Sequence, residues 1–251
     1  MEVTDKLAEV RRRLAVARRI TVVTGAGVSA ASGVPTFRGA GGLWRNRQAQ
    51  QLATPEAFAQ DPGLVWEWYA WRREVIAGCT PNAAHEAIAR WSQRSGFTLV
   101  TQNVDGLHER AGTRNVIRYH GSIWTLKCWG RCGAPDWDDL RVPLEPTPPH
   151  CPACGALARP GVVWFGESIP AAALRAADEA AACDLFLSVG TSSVVYPAAG
   201  LATQARAHGA FTVEINPEMT ASAVDLAIPL PAEIALPQLT ESSLESRRET
   251  C

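Results

Sequence analysis

The chain lacks a charge excess of either sign. Its 251 residues set 24 Lys and Arg against 25 Asp and Glu, a formal net charge of −1 at pH 7. That balance gives no general drive toward nucleic acid or anionic membranes. No run of eighteen or more apolar residues occurs, so no membrane-spanning helix is expected. The opening "MEVTDKLAEVRRRLAVARRI" has no apolar signal-peptide core, and Glu2, Asp5 and Glu9 argue against a transit peptide. The expected compartment is the cytoplasm. Leu7, Val10, Leu14 and Ala17 instead recur at helical spacing, which predicts an amphipathic helix. No internal repeat is evident, nothing specifies an assembly, and a monomer is the default expectation.

What is present points to an α/β fold. Hydrophobic residues make up 47% of the chain, enough for a substantial core. The runs "ITVVTG", "FTLVTQN", "LFLSVG" and "FTVEIN" read as buried strands, and Ala-rich helical stretches such as "AAALRAADEAAAC" separate the later ones. Strands alternating with helices predict a Rossmann-like parallel sheet covered on both faces. Two segments interrupt the rhythm: 34–90, a Gly-rich loop and then helices, and 123–160, with four cysteines and seven prolines. The expected division is a Rossmann-like domain from 1–33, 91–122 and 161–240. The helical insertion 34–90 and a zinc-binding insertion 123–160 would form a small second domain, followed by a polar, mobile tail over 241–251.

"ITVVTGAGVSAASGVPTFRG" runs a strand into Gly25-x-Gly27-x-x-Ala30, a dinucleotide fingerprint in its Gly/Ala form. Gly25 allows a tight turn, Gly27 lets backbone approach a pyrophosphate at a helix N-terminus, and Ala30 lets helix pack on strand. A glycine-rich turn in an α/β protein would read the same. The fingerprint's acid is missing: no Asp or Glu lies between Val10 and Pro55. An ordinary hydride-transfer enzyme needs one about 20 residues onward for the ribose. The ribose partners must come from elsewhere, and "EIN", Glu214 to Asn216, is a candidate. "GTS", Gly190 to Ser192, also follows a strand and is expected to open a helix, giving a second anion-friendly terminus.

Gln102, Asn103 and Asp105 crowd the carboxyl end of the strand "FTLV", where ligands bind in open α/β sheets. His120 follows the short strand "NVIRY" and is a candidate general base. His85 and His108 are weaker candidates in helical contexts. Of seven cysteines, Cys79, Cys183 and Cys251 stand alone. Cys128-x3-Cys132 and, 18 residues later, Cys151-x2-Cys154 form two close pairs. Four thiolates at ribbon spacing predict one structural zinc with no open position for a substrate.

Together, "GAGVSAASGVPTFRG", "TQNVDGLHERAG", "YHGSI", the cysteine quartet, "VVWFGE" and "GTSSVVYP" resemble the sirtuin family, in the family's order and over roughly residues 15 to 240. The resemblance implies an NAD-dependent protein-lysine deacylase that consumes NAD and gives nicotinamide, O-acyl-ADP-ribose and free lysine. It implies that Gly25, Ala26, Gly27, Ser29, Thr36, Phe37 and Arg38 surround the phosphates and nicotinamide ribose. Gln102, Asn103 and Asp105 would line the nicotinamide pocket. Gly190, Thr191, Ser192, Asn216 and Ala232 would hold the adenosine half. His120 would be the base. Val163, Trp164, Phe165, Gly166 and Glu167 would clamp substrate backbone by strand addition. Two departures stand out: the first cysteine pair has three intervening residues where two are usual, and Val104 replaces the usual Ile.

The stretch "WEWYAWRRE" puts Tyr69 and Arg72 three apart, on one helix face. Arginine matches a carboxylate with a planar fork and tyrosine adds a hydroxyl. This pair, with Ala53 leaving room for a longer chain, resembles the sirtuin subgroup that removes succinyl, malonyl or glutaryl groups. Trp66, Trp68 and Trp71 read as packing residues and Arg73 as a surface charge. Competing readings are a plain deacetylase with Tyr69 and Arg72 idle, a protein ADP-ribosyltransferase, and a non-catalytic zinc-ribbon binding module.

Overall fold

The computed structural model describes residues 2–36, 43–45, 47–218, 220 and 223–240. Phe37, Arg38, Cys251 and the tail expected over 241–251 lie outside the described residues. The described strands are β1 (Ile20–Thr24), β2 (Leu43–Trp44), β3 (Arg47–Gln48), β4 (Phe97–Thr101), β5 (Val116–Arg118), β6 (Gly121–Cys128), β7 (Trp137–Asp138), β8 (Ala158–Val162), β9 (Leu185–Val189), β10 (Phe211–Ile215) and β11 (Leu226–Ile228).

Six of them form a parallel sheet in the order β11-β10-β9-β1-β4-β5. Every residue of β1 and β9 is buried, as the apolar runs require of strands covered on both faces. Alternation then sorts their side chains. Ile20, Val22, Phe97, Leu99, Leu185 and Leu187 share one cluster with the helices Val3–Val16, Ala83–Trp91 and Ala232–Gln238. Val23, Val100 and Phe186 point the other way, into a cluster with the helices Ala171–Ala181 and Leu201–Ala207. The sheet is therefore Rossmann-like. From β1 the chain moves outward to β4 and β5, then returns to β9 on the opposite side. The order reverses between β1 and β9, where open α/β sheets bind ligands. The helix Ala83–Trp91, which falls at the end of the expected 34–90 insertion, packs Ala84, Ala87, Ile88 and Trp91 with the sheet.

A third cluster lies under the insertions. The antiparallel sheet β7-β6-β8 supplies Ile123, Leu126 and Val162, and the helix Pro62–Gly78 supplies Val65, Trp66, Trp68, Tyr69 and Ile76. That helix opens on Pro62, with the Asp61 carboxylate accepting from the Leu64 N–H at 2.9 Å. Its buried positions include Val65, Trp66, Tyr69, Arg72, Arg73 and Ile76, so both arginines fall on the inward face. Arg73, expected as a surface charge, is 1% exposed. Its guanidinium donates to the carbonyls of Ile123, Asp139 and Arg141 and lies 4.9 Å from the centre of a Trp124 ring. One cation thus ties the helix to the segment from 123 to 141. Among the described residues no helix is long and apolar enough to cross a membrane.

Removing the Arg73 guanidinium strands three carbonyl acceptors. Arg73→Met should cost about 3–5 kcal/mol of unfolding free energy, the range seen when a buried charged partner is deleted. Urea denaturation measures it, and a loss under about 1 kcal/mol would contradict the clamp.

Candidate functional site

A cavity of about 770 Å³ opens at the carboxyl ends of the parallel strands. The loops after β1 and β9 meet beneath it. Gly27 N–H donates to the Gly190 carbonyl at 2.9 Å. A Cβ on Gly27 would stand 2.7 Å from that oxygen, and one on Gly25 would stand 2.9 Å away. Gly190 itself sits at φ +59, and a Cβ there would stand 2.6 Å from the Val28 nitrogen. These glycines are needed for loop-on-loop packing, a reason additional to approach by a pyrophosphate. Ala30 is exposed, so the packing role expected of it falls to the buried Val28.

Gly25, Ala26, Gly27 and Thr36 line the cavity, as do Gln102, Asn103 and Asp105. So do Gly190, Thr191, Ser192 and Asn216, and the run Val163, Trp164, Phe165, Gly166 and Glu167. That run is not the expected strand: β8 ends at Val162 and the chain turns at Gly166, φ +84. Nor does a helix open at Gly190 to Ser192, because the first helical turn beyond β9 starts at Ala198. Ala53, Tyr69 and Arg72 share the same space with His120. Two of the described residues that the resemblance places around the cofactor do not line it. Ala232 is packed with the sheet core. Ser29 is fully buried beneath the floor. Glu214, within the "EIN" candidate, is also buried, and its carboxylate accepts from the Thr220 N–H at 3.1 Å. Asn216 alone of that pair reaches the cavity, and it donates to the Thr191 carbonyl at 3.0 Å. Val194 and Tyr196, exposed at the rim, were missed, although the quoted "GTSSVVYP" carries two valines and a tyrosine directly after the polar turn.

Ser29 organises the floor. It donates to Asp105 Oδ2 at 2.8 Å and accepts from Asn103 Nδ2 at 3.1 Å. His85 Nδ1 accepts from the Asn82 N–H, so its Nε2 carries the proton that faces Ser29 Oγ at 3.3 Å. Burial pushes the Asp105 carboxyl above its usual range, against the Leu107 N–H, the Ser29 hydroxyl and the Arg72 charge.

His120 Nδ1 lies 3.1 Å from the Gln102 carbonyl. A carbonyl only accepts, so Nδ1 carries the proton and Nε2 is the basic nitrogen. Burial lowers the His120 pKa, with the Gln102 carbonyl opposing, and the ring is neutral near pH 7. Arg72 is buried, 5.3 Å from the centre of a Trp68 ring. Burial lowers its pKa, with Tyr69 and Asp105 opposing, yet a guanidinium keeps its charge. Burial pushes Tyr69 up to about 12, so its hydroxyl stays protonated.

Away from the cavity, the sulfurs of Cys128, Cys132, Cys151 and Cys154 all lie within 4.8 Å of one another. Cys128 and Cys154 are 3.5 Å apart, Cys132 and Cys151 3.8 Å. Thiolates about 2.3 Å from a tetrahedral zinc sit about 3.8 Å apart, so the set fits that ion. The longer first loop turns back through Arg131 at φ +52 and Gly133 at φ +83, which brings Cys132 to the group.

A doubly wound sheet with a cleft at its reversal point and a four-thiolate centre beside it defines a dinucleotide-binding protein with a structural metal module. Comparison with known proteins narrows the class: the model of the Sir2 family matches residues 25–197, and the chain belongs to that family. It is 56% identical over 214 residues to the NAD-dependent protein deacylase 1 of Pseudomonas aeruginosa, covering 82% of this chain and 85% of the relative. It is 46% identical over 245 residues to the NAD-dependent protein deacylase sirtuin-5, mitochondrial, of Canis lupus familiaris, covering 86% and 78%. Among solved structures, a Sir2 homologue in complex with NAD superposes with a TM-score of 0.87 at 42% identity, covering 92% of this chain and 91% of that one.

Two predictions follow from these geometries. The purified chain should carry one zinc by elemental analysis, and Cys151→Ala should lose it and melt lower. Full metal retention in that variant would contradict a four-thiolate site. His85 and His108 are held by burial at about 4 and about 3. Both return to about 6.5 on unfolding, so the unfolded chain binds their protons first. The stability they hold is complete above about pH 6.5 and drains as pH falls toward 4. Tm should fall from pH 7 to pH 5, above the carboxylate range, and a flat profile would contradict buried neutral rings.

Proposed function

We infer that the protein is an NAD-dependent protein-lysine deacylase, and we propose that it favours acyl groups ending in a carboxylate. The deacylase reading is supported by family membership and by relatives that bear that name. The acyl preference rests on one observation: Tyr69 and Arg72 line the same cavity as His120. Both are 2–3% exposed, in a setting where a carboxylate meets little competing water.

NAD supplies a ribose carbon that accepts the acyl oxygen as nicotinamide leaves, and a ribose hydroxyl that receives the acyl group. In this reading Gly25, Ala26 and Gly27 with Gly190, Thr191 and Ser192 flank the phosphates, and Asn216 faces the adenosine half. Asn103 and Asp105, anchored on Ser29, bound the nicotinamide side. His120 Nε2 takes the proton of the attacking hydroxyl, because Gln102 holds the other nitrogen protonated. Val163 to Glu167 line the cavity beyond the end of β8 and would lie along the peptide main chain as a turn, since their Val163 and Phe165 N–H groups already donate to the His120 and Ala53 carbonyls. The acyl-lysine enters between the parallel sheet and the layer of helix Pro62–Gly78 and β6–β8, and Ala53 leaves room for its chain. The four cysteines hold zinc as a structural ion.

Arg72→Met should lower kcat/KM for a succinyl-lysine peptide by about 100-fold, the scale of a lost bidentate charged contact. Acetyl-lysine turnover should stay within about threefold. Equal losses on both would leave a plain deacetylase with an idle arginine. His120→Ala should lower turnover of every acyl peptide by at least about 100-fold. In the parent enzyme the acid limb of kcat/KM should fall below the ordinary imidazole value of 6.5, because deprotonation is the active form and burial lowers the pKa. A limb above 6.5 would contradict His120 as base.

A further inference from the structure

The run Val163 to Glu167 was assigned to the substrate main chain, yet one of its side chains points elsewhere. Trp164 is 1% exposed, and its indole Nε1 donates to the Tyr69 hydroxyl at 2.8 Å. An indole N–H can only donate, so the direction of this bond is fixed. Tyr69 accepts it and, among the described residues, donates its own proton to no partner. The phenol has one lone pair committed and its proton uncommitted, in a residue that lines the cavity.

The indole is held firmly. The Arg159 guanidinium lies 3.5 Å from the centre of its ring, and the Phe58 ring packs at 5.3 Å. Its backbone N–H donates to Glu167 Oε2 at 2.9 Å, and Glu167 is ion-paired with Arg159. Arg159, Glu167 and Trp164 thus form a closed unit that presents the N–H to the helix Pro62–Gly78.

We propose that Trp164 is a positioning residue for acyl selectivity, whose indole N–H turns the Tyr69 hydroxyl into a donor for a negatively charged acyl end. This rests on the reading of Tyr69 and Arg72 given above. The chain runs one way, from Trp164 to Tyr69 to ligand. A donor bonded to an oxygen polarises the O–H beyond it, which strengthens the outer bond. A carboxylate can accept the offered hydrogen bond, whereas an acetyl methyl cannot. The selectivity therefore comes from two donors converging on one place, the Arg72 fork and an O–H whose orientation Trp164 sets.

The test is steady-state kinetics with NAD on matched succinyl-lysine and acetyl-lysine peptides. Trp164→Phe keeps an aromatic ring and removes the N–H. It should lower kcat/KM for the succinyl peptide about tenfold more than for the acetyl peptide, with the difference mainly in KM. With Tyr69→Phe already present, Trp164→Phe should have no further effect on the ratio, because the two act as one unit. Replacing Trp164 by 3-benzothienylalanine, a close isostere without the N–H, should reproduce the loss and controls for packing if the Phe variant melts lower. Should Tyr69→Phe and Arg72→Met shift the ratio while both replacements at 164 leave it unchanged, the role of Trp164 is overturned and the acyl reading stands. Equal losses on both peptides at 164 would also overturn it, as the signature of packing alone. If Tyr69→Phe and Arg72→Met themselves leave the ratio unchanged, the underlying reading fails first.

Discussion

The site depends on how closely two loops approach. The turns after β1 and β9 pass so near each other that the Gly27 N–H reaches the Gly190 carbonyl at 2.9 Å. A single Cβ on Gly27 would stand 2.7 Å from that oxygen. The approach is tight because β1 and β9 are hydrogen-bonded neighbours while their connections leave in opposite directions. Separating the loops would shift Gln102, since its backbone N–H is held by the Thr24 carbonyl at 3.0 Å. Gln102 in turn holds His120. His120, the polar floor and the glycine walls are thus one mechanical unit built on neighbouring strands.

A second layer carries the residues proposed to give that unit its selectivity. The helix Pro62–Gly78 turns both Arg72 and Arg73 inward, and the two do different things. Arg73 spends its donors on backbone carbonyls of the 123–141 segment and fixes the helix in place. Arg72 lines the cavity. Burying a guanidinium is costly unless hydrogen-bonding groups and opposite charge surround it. An incoming carboxylate adds to that compensation and a neutral acyl group does not, which is the physical basis of the proposed preference.

Much of this was legible in the chain. The apolar runs marked β1, β4, β9 and β10, and the i, i+3 spacing put Tyr69 and Arg72 on one face. The cysteine spacing marked a four-thiolate group despite its longer first loop. The failures have local causes. Arg72 and Arg73 are adjacent and chemically identical, and the acceptors that bury Arg73 lie 50 to 68 residues away in sequence. No local pattern carries that information. Ala30 fitted the fingerprint by position, but the helix Gly27–Ala30 is a single turn and buries Val28 and Ser29 instead. Ala232 was carried over from a resemblance, and the structure packs it with Ala235 and Leu236 in the core. Glu214 lies one residue before the end of β10, and its carboxylate is turned to the chain's own Thr220.

The proposed preference rests on a buried cation beside the deacylation centre selecting the acyl group. The most direct measurement is kcat/KM of the unmodified enzyme with NAD on one peptide carrying acetyl, malonyl, succinyl or glutaryl lysine in turn. Turnover should require NAD, release nicotinamide, and favour the carboxylate-bearing acyl groups over acetyl by at least about tenfold. Equal or better use of acetyl-lysine would contradict it.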